Sequence, residues 1–366
     1  MSIWQYASDL GPLAELTAAN RVSLGEGNTP LIRSRRIGPD AGLRDLYFKL
    51  ESSNPTGSYK DRFAAAAVTD MLAGGKRNCV ATSSGNTGAA VAAYCAAAAI
   101  PCSIAIVDGA PVGKVRQMQA YGARLYTLRG FGTDAAVSSA IMEKLLELAQ
   151  GDAALQISAF RFSPMGMTGV QSLAYELADQ RPEGWNHVFC PSGGGGLTLA
   201  VARGFARLVD SDRMEQSPAV ECVQPAGNDT MSGPLRRGES CGQSVQSTTT
   251  ISGLQVALVI DADQTIAACA ASGGTGHLVA DDQVYEVQRR LALEEGVFCE
   301  PVGAVGLAGA LQARRDNLVH PDSAIVCLIT GTGFKDPQSV ERMTAAADVP
   351  CLGSAADIEP FLNSLR

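Results

Sequence analysis

The chain has 366 residues, 46% of them apolar, a net charge of −8 and a pI near 5.0, which is enough for one large unit or two lobes and too acidic for a nucleic-acid binder, which needs a basic surface. No apolar run reaches membrane-spanning length, and the opening MSIWQYASDLGPLAEL lacks the basic-then-apolar order of a signal peptide, so a cytoplasmic protein without membrane contact is expected. The ten cysteines form no C-x-x-C pair, and His187, His277 and His320 stand apart from other ligand types, so reduced thiols are expected and no metal site.

In chain order, the first marked feature is NPTGSYKDR, residues 54–62: a tight turn, an aromatic, a lone lysine, and then DRFAAAAVTDML, which reads as a helix. The partial positive charge of a helix start disfavours a cation, so Lys60 reads as an amine meant to lose its proton. Asp61 and Arg62 read as residues that cap and flank the helix. Short apolar runs then alternate with Ala-rich helical stretches: NCVATS with AAVAAYCAAAA, CSIAIV with GKVRQMQAYGA, HVFCPS with LTLAVARGFARL. This alternation predicts an α/β fold of mostly parallel sheets flanked by helices. Residues 66–158 form a compact α/β stretch, expected as a small domain carrying a carboxylate-binding loop. Residues 1–65 and 159–366 are expected to form the large domain. Gly227 to Thr250, rich in Gly, Ser and Gln, reads as a long irregular loop. DDQVYEVQRRLALEEG reads as a charged amphipathic helix stopped by Gly296, and SAIVCLIT as a strand broken off by the glycines of GTGFKD.

Two Gly-rich turns follow predicted strands, where free backbone N–H groups gather ligands. PSGGGGLTLA (191–200) places Gly193, Gly194, Gly195 and Gly196 in a row, so the backbone can wrap an anion such as a phosphate; the alternative is a flexible turn at a helix start. TSSGNTGAA (82–90) offers the hydroxyls of Ser83, Ser84 and Thr87 beside Gly85 and Asn86, which suits a carboxylate; the alternative is an ordinary N-cap. An amine, a phosphate cradle and a carboxylate cradle are together what a pyridoxal phosphate enzyme acting on an amino acid requires, with Lys60 as the Schiff-base lysine.

These motifs resemble those of the fold type II (tryptophan synthase β-like) pyridoxal phosphate enzymes, and within them the threonine synthases, over nearly the whole chain. SLGEGNTPL (23–31) is similar to the opening motif, NPTGSYKDR to the lysine motif and TSSGNTG to the substrate loop. GKVRQMQAYGA, GVQSLAYEL, EEGVFCEPVGAVGLAG and TGTGFKD follow in the family's order. The resemblance implies a two-lobed fold with Lys60, Asn86, Gly193 to Gly196, Leu197 and Thr330 holding pyridoxal 5'-phosphate. Asn86 would meet the ring hydroxyl and Thr330 the pyridine nitrogen. Ser83, Ser84, Gly85, Thr87 and Lys114 would bind the amino-acid substrate, and the enzyme would be a homodimer. The implied reaction is a carbon–oxygen lyase step that turns O-phospho-L-homoserine and water into L-threonine and phosphate.

The sequence departs from the threonine synthase pattern at several positions. Gly166 stands where an arginine would grip the substrate phosphate, and Ser163 replaces an asparagine. Gly303 replaces a serine, Thr332 a histidine, and GGGG is closer to the phosphate loop of serine/threonine dehydratases and cysteine synthases. Arg161 is close enough in sequence to be a substitute phosphate donor, but it reads first as an exposed arginine at a strand end. β-Elimination or β-replacement on serine, threonine or O-phosphoserine is the alternative reaction. A non-catalytic binding protein would be marked by loss of Lys60, Asn86 or the glycines, and all are present.

Overall fold

A computed structural model describes the chain apart from Met1, Gly132, Thr133, Ala257, Leu258, Asp348, Pro350 and Arg366. Its strands are Leu31–Arg33 (β1), Asp45–Leu50 (β2), Asn78–Ala81 (β3), Cys102–Ile106 (β4), Arg124–Thr127 (β5), Ala153–Gln156 (β6), His187–Pro191 (β7), Ala219–Pro225 (β8), Gly276–Val279 (β9) and Ala324–Ile329 (β10). They form a six-stranded sheet ordered β1-β2-β10-β7-β8-β9 and a four-stranded sheet ordered β5-β4-β3-β6. Every pairing is parallel except β1 with β2. All six residues of β10, AIVCLI, are buried, as a parallel strand covered by helices on both faces requires. No helix among the described residues is long and apolar enough to cross a membrane.

The helix Lys60–Ala73 carries Lys60 as its first residue and buries most of its length. Its partner is the helix Pro164–Gln180, and small residues bring the two together. A Cβ on Gly166 would lie 2.6 Å from Phe63 Cε2 and 2.9 Å from Ala67 Cβ, and one on Gly169 would run into the Arg62 carbonyl oxygen. Gly166 therefore has a packing role: it sets the approach of the helix that presents Lys60.

Arg62 is fully buried and does more than flank the helix. Its guanidinium donates to both oxygens of Glu51, each at 2.7 Å, and to Glu176 Oε2 at 2.9 Å. Lys49 Nζ donates to Glu176 as well. The same Glu176 accepts the backbone N–H groups of Asn28 and Thr29 at 2.8 and 2.6 Å, which ties the opening GNTPL segment to both helices. Asp61 accepts from Thr56 N at 3.0 Å and Thr56 Oγ1 at 2.7 Å, clamping the turn before Lys60.

Two other expectations are refined. The stretch 227–250 is not wholly irregular, because Ser232–Arg236 forms a helical turn. Its N–H groups at Met231 and Ser232 both donate to Gln224 Oε1. His187 and His277, far apart in sequence, meet on Glu221 at 2.8 and 3.0 Å. The helix Asp281–Glu295 ends as predicted, on Gly296 in the left-handed region at φ 69°.

Candidate active site

A cavity of about 420 Å³ opens where strands of both sheets end. β3 runs into residues 82–85, β6 into 157–159, β7 into 192–195 and β10 into Thr330, so the loops beyond the carboxyl ends of parallel strands converge there. The cavity wall contains Lys60, Ser83, Ser84, Gly85, Asn86, Thr87, Lys114, Gly193, Gly194, Gly195, Gly196, Leu197 and Thr330. All thirteen residues singled out from the sequence thus come together. Arg161 does not: it is exposed, with its guanidinium over the Phe162 ring. Ser163 is buried away from the wall, where its Oγ accepts from Ile157 N at 3.1 Å.

Gly195 caps the helix Gly196–Asp210 with φ 95°, a backbone conformation that only glycine adopts without strain. A Cβ there would strike Thr265 Oγ1. The cap supplies no side-chain acceptor, so the first-turn amides and the positive helix end remain for an anion. The loop is held from behind, with Asp261 N donating to Gly194 O at 3.1 Å and Thr265 Oγ1 to Gly195 O at 3.2 Å. Asp261 also accepts from Phe160 N at 2.8 Å and Arg161 N at 3.1 Å, which fixes the loop that carries Ser158.

Across the cavity, Gly85 caps the helix Asn86–Ala97, again without a side-chain acceptor. The N-cap alternative for TSSGNTG is therefore not realised. Ser83 Oγ instead accepts from Gly85 N at 3.2 Å, and Ser84 Oγ from Val107 N at 2.9 Å.

Lys60 Nζ donates to Ser158 Oγ at 2.5 Å, and Ser158 Oγ lies 3.1 Å from Thr87 Oγ1. Lys60 lines the cavity yet is enclosed by protein, and this burial pulls its pKa down to about 7 against the opposing pull of the Glu300 and Asp261 carboxylates. Burial, and not the helix start alone, is what favours the neutral amine. Three functional candidates escaped the sequence reading: Ser158, Asp261 and Glu300. Glu300 is buried, accepts from Asn86 Nδ2 at 2.5 Å and lies 3.1 Å from the equally buried Lys114. It opens the EPVGA motif, a signal that was present but read only for Gly303. The segment 252–256 also lines the cavity, and nothing in its composition marks it.

The residues fit pyridoxal phosphate on this structure's own evidence. Thr330 Oγ1 and Asn86 Oδ1 are buried cavity-wall atoms without a protein partner, where a buried polar atom needs one. A side-chain-free, amide-rich turn faces them from Gly193 to Gly196, and a lysine with a lowered pKa stands on the same wall.

Comparison with known proteins agrees. The family profile described as pyridoxal-phosphate dependent enzyme matches residues 22–331. The chain is 30% identical over 349 residues to the threonine synthase of Methanocaldococcus jannaschii, covering 93% of this chain and 82% of that protein. It is 32% identical over 343 residues to the threonine synthase of Mycobacterium bovis, covering 93% and 89%. Among solved structures, it is similar to threonine deaminase isoform 2 from Solanum lycopersicum, with a TM-score of 0.73 at 23% identity over 95% of this chain and 94% of that one. Maize serine racemase gives a TM-score of 0.70 at 23% identity over 87% and 92%. At that identity the two solved structures speak for the fold. The chain belongs to the pyridoxal-phosphate dependent enzyme family, as a threonine synthase-like member of fold type II that uses pyridoxal 5'-phosphate.

Proposed function

We propose that this enzyme converts O-phospho-L-homoserine and water to L-threonine and phosphate by γ-elimination and β-addition. The observation that carries the reading is the match to threonine synthases at 30–32% identity along 93% of the chain. Pyridoxal phosphate, when bound, supplies the electron sink for negative charge at the substrate Cα. Lys60 Nζ takes the Cα proton and moves protons at Cβ and Cγ, which requires the neutral amine that burial favours. Ser158 Oγ and Thr87 Oγ1 form a hydroxyl chain that holds Lys60 Nζ in place. The amides at the start of the helix Asn86–Ala97, with Ser83 and Thr87, bind the substrate carboxylate. Gly193 to Gly196 with Leu197 hold the cofactor phosphate, while Asn86 and Thr330 meet its ring. The reading includes a small domain over residues 66–158, supported by a four-stranded sheet whose strands all fall within 78–156. Residues 1–65 and 159–366 make the large domain of a cytoplasmic homodimer.

A specific observation favours a second reading, β-elimination or β-replacement on serine, threonine or O-phosphoserine. No arginine lines the cavity among the described residues, and Lys114, its second lysine, is already paired with Glu300. Gly166 packs on Phe63 and Arg161 points away. The substrate phosphate is left with hydroxyls and whatever share of Lys114 the pair releases. Spectral titration of the holoenzyme with O-phospho-L-homoserine, L-homoserine, L-serine and L-threonine separates the two. Saturation by the phosphorylated compound at concentrations where L-homoserine has no effect supports the first reading, and the reverse preference supports the second.

A further inference from the structure

Cys79, Cys95 and Cys102 come from three different elements: β3, the helix Asn86–Ala97 and β4. Cys79 and Cys102 are register partners on adjacent parallel strands, and Cys95 sits on the helix packed against them. The three Sγ atoms lie within 4.8 Å of one another, and all three residues are buried in the apolar core. Three thiols converging on one point is a ligand set as well as a packing solution. The ion it suits follows from charge. A divalent ion held by three thiolates leaves net negative charge in an apolar core, where an uncompensated charge is costly. A structural zinc ion also takes four ligands, and among the described residues this group ends at three. A trivalent centre on three thiolates is neutral, and soft sulfur donors select soft, thiophilic centres.

We propose that Cys79, Cys95 and Cys102 form a three-thiol binding site for trivalent arsenic or antimony hydroxide. Each thiol gives its proton to one hydroxide of the incoming As(OH)3; three As–O and three S–H bonds break, three As–S bonds form, and three waters leave. No electron is transferred, so no oxidant or reductant is needed. Entry is by local opening of the small sheet, since all three cysteines are buried. The site is not remote from the chemistry: β3 runs directly into Ser83 and Ser84, and Cys95 shares a helix with Asn86 and Thr87.

The test uses reduced holoenzyme in which the two exposed cysteines are replaced, Cys241→Ser with Cys351→Ser. The protein is incubated with arsenite, passed through gel filtration and measured for bound arsenic and for thiols titratable after denaturation. The expected result is one arsenic per chain and three fewer titratable thiols, both reversed by a small dithiol. Cys95→Ala and, separately, Cys102→Ser should each remove the retained arsenic while the far-ultraviolet circular dichroism stays unchanged. If the folded starting protein retains no arsenic, or loses thiols other than these three by peptide mapping, the proposal is wrong and the trio is packing only. That measurement on the starting protein decides the matter even if a variant fails to fold.

Discussion

Asn86 Nδ2 donates to Glu300 Oε1 at 2.5 Å, and through this bond the TSSGNTG loop of one sheet is joined to the helix Pro301–Arg315 behind the other. Glu300 is also the counter-charge of Lys114 at 3.1 Å, with both side chains only 2% exposed. One carboxylate therefore orients the Asn86 amide on the cavity wall and neutralises a buried cation.

Removing that carboxylate strands Lys114. Glu300→Ala should cost about 3–5 kcal/mol of stability, the usual penalty for a buried charge left without its partner. Adding Lys114→Met should restore a large part of it. Urea unfolding of the two single variants and the double variant gives the coupling directly. An additive result would mean that the pair is not coupled.

The lowered pKa of Lys60, about 7, makes cofactor capture by the apoenzyme depend on pH. Below that value the amine is protonated and unreactive, and above it the amine is neutral. The rate of pyridoxal phosphate uptake should rise with pH, reach half its plateau near 7 and flatten well below the ordinary lysine range. Stopped-flow absorbance follows it. Lys60→Ala should leave no cofactor fixed to the chain by borohydride.

The Arg62–Glu51 pair contributes to the acid limb of stability. Burial alone raises the Glu51 pKa, but the Arg62 guanidinium outweighs it and holds the group down at about 2, against 4.5 unpaired. A depressed carboxylate contributes stability that is fully present above its unfolded value and is lost as pH falls through its folded value. The contribution of Glu51 should therefore fade between about pH 4.5 and 2. Glu51→Gln should lower stability at pH 7 and flatten the pH dependence in that window, as read from denaturant midpoints between pH 2 and 7.

Gly195→Ala forces a Cβ onto φ 95° and into Thr265 Oγ1. The strain is about 1–3 kcal/mol, and the amides that follow are turned off the anion. Pyridoxal phosphate affinity should fall by tenfold or more in a fluorescence titration, roughly what 1.4 kcal/mol gives. A control variant, Gly184→Ala, shares the positive φ of 84° but lies in a surface turn, outside the cavity wall. It should lose stability without losing cofactor.

The local signals in the sequence translate well into structure. NCVATS, CSIAIV and SAIVCLIT become β3, β4 and β10 because continuous β-branched and apolar runs suit buried parallel strands. The glycine turns are legible because they follow those strands directly. What local reading misses is whatever long-range packing creates. Ser158 reaches Lys60 from 98 residues away and Glu300 reaches Asn86 from 214. The three thiols at 79, 95 and 102 have no ligand-like spacing, yet the β–α–β crossover stacks them. Gly166 illustrates the opposite difficulty. Set beside a family pattern it is a missing arginine, while in space it is the small residue that lets two helices touch. The lowered pKa of Lys60 was legible, but its main physical cause was not, since burial is a property of the folded chain.

The measurement that bears most directly on the proposed reaction is a product assay on purified holoenzyme. O-Phospho-L-homoserine is supplied, with L-threonine, L-serine and O-phospho-L-serine in parallel, and inorganic phosphate, ammonia and amino-acid products are quantified together. The account predicts phosphate and L-threonine in equal amounts from O-phospho-L-homoserine and no ammonia. Absence of turnover with that substrate, together with a 2-oxo acid and ammonia or a β-substituted product from another, would contradict it.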